Sequence, residues 1–263
     1  MPLESFNLHF MHHFKAKRIS FLCLLFALSA TFLLLISSAH ARLLSETDAA
    51  SDNALDSALL SMGQRAVFAG HALIQGVKAF KNKDFYRAQR IWLPLAQDGD
   101  SKAQFFLGML YESASNDRYK ALYWYRRAAE RGDREAEYNL GLAYARGLGV
   151  KRNIPEAVKW WQAASMKGNS DSQYNLGIIY ATGADGVSRN FKEAKRWWLL
   201  AAANGDALAQ YNLGTMYANG VAGKQSYCEA ARWWSRSQSN GFRQADIALQ
   251  NLDRQHLDIS NCR

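Results

Sequence analysis

The chain has 263 residues, 49% of them hydrophobic and 13% aromatic, and a formal net charge of +9. Eight tryptophans exclude a disordered polymer, and three prolines with eighteen glycines point to a mostly helical architecture. The basic balance admits acidic partners; with no dense Lys/Arg block interleaved with aromatics, it argues against nucleic acid.

Residues 1–41 read as an export signal. Lys15, Lys17 and Arg18 form a basic start, Ile19 to Ile36 is apolar apart from small hydroxyl residues, and Ala39-His40-Ala41 supplies the small-x-small pattern of a signal-peptidase site. The apolar run is also long enough for an uncleaved membrane anchor. Under either reading the basic residues stay inside, so the rest of the chain is expected outside the cytoplasm, periplasmic or secreted, with membrane contact only through that segment. Cys23 follows Phe21-Leu22 rather than small residues, which argues against a lipoprotein signal. Residues 42–62 are expected to be a flexible linker.

From there the sequence repeats. Alanine, ten residues and glycine recur at Ala88 to Gly99, Ala121 to Gly132, Ala157 to Gly168, Ala194 to Gly205 and Ala230 to Gly241. Nine residues after the first four glycines comes a Leu-Gly pair: Leu107-Gly108, Leu140-Gly141, Leu176-Gly177 and Leu213-Gly214. In the fifth copy Gln250 stands in the glycine's place. Each copy reads as two helices, a first (A) carrying the Leu-Gly pair and a second (B) carrying the alanine and the closing glycine. The B helices hold the pairs Ile91-Trp92, Trp124-Tyr125, Trp160-Trp161, Trp197-Trp198 and Trp233-Trp234. Aromatics at helical spacing opposite alanines read as packing rather than as a ligand-stacking ladder. One hairpin cannot bury such a face alone, so the hairpins must stack.

The combination of Tyr-Asn-Leu-Gly, a tyrosine three residues after the glycine, a glycine-bearing loop such as Gly147-Leu148-Gly149-Val150, and Ala-x-x-Trp-Trp resembles the Sel1-like repeat, a longer-looped relative of the tetratricopeptide repeat. The resemblance implies an all-α fold: an α/α solenoid, a right-handed superhelix of helical hairpins, over residues 100–250. Residues 63–99, with the short turn Lys83-Asp84-Phe85, resemble an ordinary tetratricopeptide unit, and 251–263 form a weakly patterned tail. The second copy departs from the pattern, since its turn from Glu112 to Lys120 is short and lacks glycine.

Chemistry has few candidates. His71 and His256 are the only histidines after Ala41, and no serine is followed three residues later by lysine. Metal sites, nucleophilic triads and the serine β-lactamase signature therefore lack convergent residues. No enzymatic activity, metal or cofactor is expected; Asp133 and Glu135 read as helix-capping acids. Cys228 and Cys262 permit one disulfide in an oxidising compartment, the alternative being two free thiols.

Binding is the alternative to chemistry. Carried over from the tetratricopeptide groove, the resemblance implies a partner-facing ladder of Phe105, Tyr138, Tyr174 and Tyr211, with Asn139, Asn175 and Asn212 beside it. Met109, Leu142 and Ile178 would form an apolar floor, and Arg146 a charged contact. Glu135, Asp171 and Leu208 stand where relatives that clamp a peptide carboxylate carry lysine. The same ladder also reads as side chains that knit adjacent A helices together. The resemblance implies a scaffold for envelope proteins or an extended peptide, as in envelope signalling. The alternatives are a hydrolase of cell-wall or β-lactam substrates and a structural part of an envelope assembly for a motor or polysaccharide export.

Overall fold

The computed structural model describes residues 49–221 and 223–254. The chain divides into two units, Met1–Arg65 and Ala66–Arg263, and the described part of the first is helical. The expected export signal over 1–41 lies outside the described residues.

Eleven helices follow one another among the described residues: α1 (Ala49–Lys81), α2 (Phe85–Gln97), α3 (Ser101–Ala114), α4 (Arg118–Glu130), α5 (Arg134–Arg146), α6 (Ile154–Met166), α7 (Ser170–Thr182), α8 (Phe191–Ala203), α9 (Ala207–Asn219), α10 (Tyr227–Ser239) and α11 (Arg243–Arg254). Odd-numbered helices are the A helices, even-numbered ones the B helices. The described residues form no strand beyond one bridge between Ala184 and Val187. The expected α/α solenoid of hairpins is the fold.

The boundaries follow from local chemistry. Each of α2 to α10 is preceded by Asp, Asn or Ser whose side chain accepts a backbone N–H of the first turn, pairing a donor that the helix itself leaves open. The B helices end at glycine. At Gly132 φ is +81°, a region that side chains avoid, and this lets the Asp133 N–H turn back onto the Ala128 carbonyl. Asp133 is already the cap of α5, so the reversal from B to A takes two residues. The A-to-B turns are longer and are closed by one recurring bond: the N–H of the B-helix cap reaches a tyrosine carbonyl, Asp117 to Tyr111, Asn153 to Tyr144, Asn190 to Tyr180 and Ser226 to Tyr217.

Each hairpin is held by an aromatic ring laid on a glycine. Trp92, Trp161, Trp198 and Trp234 donate their indole N–H to the carbonyls of Leu73, Tyr138, Tyr174 and Tyr211, three residues before Gly76, Gly141, Gly177 and Gly214. A Cβ on those glycines would stand 2.1 to 2.5 Å from the indoles. In the first Sel1-like copy Tyr125 lies on Gly108, and its hydroxyl donates to Glu112 Oε2 at 2.7 Å. The first residues of each aromatic pair fill the remaining space: Trp124 and Trp197 are buried, Trp160 and Trp233 half-buried. The aromatics are core, as their spacing predicts.

A buried polar contact joins successive hairpins. Gln104, Gln173 and Gln210 donate from Nε2 to the carbonyls of Ala96, Ser165 and Ala202, at the end of the preceding B helix. Their register partner in α5 is Glu137, which pairs with Lys167 instead.

Two boundaries differ from expectation. The linker expected over 42–62 is helical from Ala49 onward, because AASDNALDSALL is rich in good helix formers and holds no proline or glycine. The solenoid, expected to end at residue 250, runs on in α11 to Arg254, because Leu252 is buried against Ala230, Ala231, Trp234 and Ala245. Four residues assigned to the tail are therefore helical.

Candidate functional site

The ladder expected to face a partner is largely occupied by the protein itself. Phe105 is only 4% exposed and packs on Tyr125, with ring centroids 6.0 Å apart; this corrects its assignment as a partner contact, since a ring at this register is drawn into the core that α4 closes. Tyr138 and Tyr174 are half-buried, and their hydroxyls lie beside the side chains of Asn175 and Asn212 of the following repeat. Burial pushes both hydroxyls up from the usual tyrosine range, and Asp171 and Asp206 add to the shift. Tyr211 rests on Phe242 and Trp234, at 5.1 and 6.3 Å. Met109, Leu142 and Ile178 are half-buried and pack against three different core clusters. The tyrosines and asparagines thus act first as rungs between A helices.

The acids at the starts of the A helices are electrostatically crowded. Desolvation, and then repulsion from Asp206, raises the Asp171 carboxyl above the usual carboxylate range, although the side chain still reaches water. Earlier in the array the charges are paired: Lys102 meets Asp133 at 2.7 Å and Glu135 at 3.0 Å, and Arg152 meets Asp185 in the neighbouring turn.

Three expected residues come together elsewhere. Asn139, Leu142 and Arg146 of α5 line a cleft with Glu112, Arg118 and Leu148, between the first and second Sel1-like copies. Its volume is about 80 Å³, far below the roughly 300–1,000 Å³ of small-molecule sites. Arg118 and Arg146 are both exposed, and neither has an ion-pair partner among the described residues. Arg118, Glu112 and Leu148 are not among the residues expected from the sequence. The signal for Arg118 is a charged residue at the first position of a B helix, where the other copies carry Phe85, Ile154, Phe191 and Tyr227.

Among the described residues no three His, Cys, Asp or Glu side chains could hold a metal ion, and no helix is long and apolar enough to cross a membrane. Cys228 is disulfide-bonded; Cys262, its expected partner, lies outside the described residues.

Comparison with known proteins agrees with this architecture. The structure is similar to a Sel1 repeat protein from Oxalobacter formigenes, with 26% identity and a TM-score of 0.63 over 68% of this chain and 74% of that one. It is also similar to c5321, a protective antigen present in uropathogenic Escherichia coli strains that displays an SLR fold, with 29% identity and a TM-score of 0.67. That match covers 74% of this chain but only 43% of the antigen. No match is found among curated proteins. The Sel1 repeat model matches residues 101–133, 134–169, 170–206 and 207–241, the four hairpins from α3 to α10. With more than half of its residues in those four matches, the chain belongs to the Sel1 repeat family.

Proposed function

We propose that this chain is a non-catalytic interaction scaffold of the cell envelope, exported by its N-terminal segment and gripping a partner protein along its A helices. Sel1 repeats commonly serve as protein-interaction scaffolds, which supplies the class of activity. The observation that carries the reading to this chain is the cleft at the first junction, where Asn139, Leu142 and Arg146 stand together beside Arg118, which has no ion-pair partner among the described residues. A repeat array that closes its other A-helix rungs with its own side chains, yet leaves polar donors open at one, is suited to holding another chain. The location rests on the basic start, the apolar run from Ile19 and the Ala39-His40-Ala41 site.

Photo-crosslinking in cells tests the reading. A benzophenone amino acid at position 112, on the exposed rim of the cleft, should give a covalent adduct of discrete size, and the same group at Lys159, exposed on a B helix, should not. Absence of adducts at both positions, or equal adducts at both, overturns the assignment. A reporter enzyme active only outside the cytoplasm, fused after residue 62, should be active; an inactive fusion removes the envelope from the proposal.

A further inference from the structure

We infer that the junction between the first two Sel1 repeats binds an acidic side chain of an extended partner peptide, with Arg118 and Arg146 holding the carboxylate and Leu142 and Leu148 receiving an adjacent aliphatic residue. The inference rests on the scaffold reading and names the chemistry of its partner.

Register sets this junction apart from the others. In four of the five B helices the first residue is apolar, Phe85, Ile154, Phe191 or Tyr227, and each packs against a core cluster at the end of its A helix. At the fifth position the chain has Arg118, which is exposed, so nothing apolar plugs the gap and a cleft remains. The turn before it is also the shortest of the four Sel1-type turns: the closing bond spans Asp117 to Tyr111, against Asn153 to Tyr144 in the next copy. The rung between A helices is missing there as well. Phe105 stands where the next two copies carry Tyr138 and Tyr174, so the Asn139 side chain has no tyrosine hydroxyl to meet. Five residues after the Leu-Gly glycine, the other copies carry Ser113, Thr182 and Asn219; only α5 carries a base, Arg146, and it lines this same cleft.

Four departures from the repeat thus converge at one junction, and their sum is cationic. The one carboxylate in the lining, Glu112, accepts the hydroxyl of buried Tyr125 and forms no ion pair with either arginine. Three bases on the later B helices are met by an acid three residues away, Lys159 by Glu156, Arg196 by Glu193 and Arg232 by Glu229, a pairing that Arg118 and Arg146 lack. Guanidinium groups left without a counter-charge at the rim of an apolar cleft favour a carboxylate, which they bind through paired N–H donors. The cleft's size admits a side chain rather than a cofactor.

A displayed library of random 12-residue peptides, panned on the purified chain, tests this. Selected peptides should be enriched in Asp or Glu beside an aliphatic residue. Made synthetically with both ends blocked, they should weaken by about tenfold or more when that acid becomes its amide, the scale of a lost charge-assisted pair. Arg118→Ile, which restores the residue type of α6, should weaken binding equally while keeping the thermal midpoint, and Arg146→Gln should do the same. Absence of acid enrichment, or affinity indifferent to the amide change or to Arg118→Ile, overturns the inference. Binding that needs a free C-terminal carboxylate and ignores the internal acid overturns the side-chain assignment. Acid-independent binders alongside an adduct at position 112 would leave the scaffold standing and remove only this site. No binder and no adduct would remove both.

Discussion

The indole of Trp161 lies directly on the bare α-carbon of Gly141 and donates its N–H to the Tyr138 carbonyl at 3.2 Å, so one ring fixes both the spacing and the rotation of α5 against α6. A Cβ at Gly141 would sit 2.5 Å from the ring. Gly141→Ala should therefore destabilise the chain by about 1–3 kcal/mol in urea unfolding, the cost of overpacking, even though alanine is the better helix former. Gly70→Ala is the control. That glycine lies in α1, where an added Cβ would meet nothing within 4 Å, and the change should stabilise by about 0.5–1 kcal/mol.

Glu137 and Lys167 form a charged pair where later repeats use a neutral one, Gln173 with Asn204 and Gln210 with Asn240. Glu137 is buried, and its second oxygen has no partner among the described residues. Lys167→Ala should cost about 2–3 kcal/mol, because it leaves a buried carboxylate uncompensated while Lys167 itself is partly solvated. Glu137→Gln combined with Lys167→Asn should stay within about 1 kcal/mol of the parent, since the glutamine regains the donor that its counterparts use on the preceding B helix. A double-mutant cycle by thermal unfolding reads both.

Asp171 gives the stability a pH slope. Its folded carboxyl titrates above the ordinary range, by desolvation and then by Asp206, so the stability it contributes is fully present below the unfolded value and is lost as pH rises through the folded one. Thermal midpoints measured between pH 3 and 7 should show the parent gaining on Asp171→Asn as pH falls. A difference independent of pH would contradict the assignment.

Tyr138→Phe removes the hydroxyl that meets Asn175 while keeping the ring. It should cost about 0.5–1.5 kcal/mol of stability and leave partner crosslinking from position 112 intact. A variant with normal stability and lost crosslinking would return Tyr138 to the role of partner contact.

The repeat is legible in the sequence because its restraints are local and recur. The glycine of each Leu-Gly pair, the aromatic four residues after each B-helix alanine and the Asp, Asn or Ser before each of α2 to α10 carry their geometry in their residue type. The site is less so. Tyr138 and Asn139 look alike along the sequence as polar groups on one helix face, yet Tyr138 meets the Asn175 side chain of the next repeat and Asn139 faces a phenylalanine in the preceding one. That difference depends on whether the residue one hairpin away is Tyr or Phe. Arg118 reads as an ordinary helix-start residue until the repeats are aligned on their alanines, which sets it against Ile154 and Phe191 and shows the missing plug. Linker positions from Ala49 to Met62 carry helix-forming composition without a partner pattern, which is why they read as unstructured.

Among these junctions the first is open where the later ones are closed, and the proposed grip on a partner depends on that contrast. Hydrogen exchange of the side-chain amides in selectively ¹⁵N-asparagine-labelled protein measures it at three equivalent positions. Asn139 should exchange at the rate of a free amide, with Asn175 and Asn212 clearly slowed by their tyrosines; equal protection of all three would contradict it.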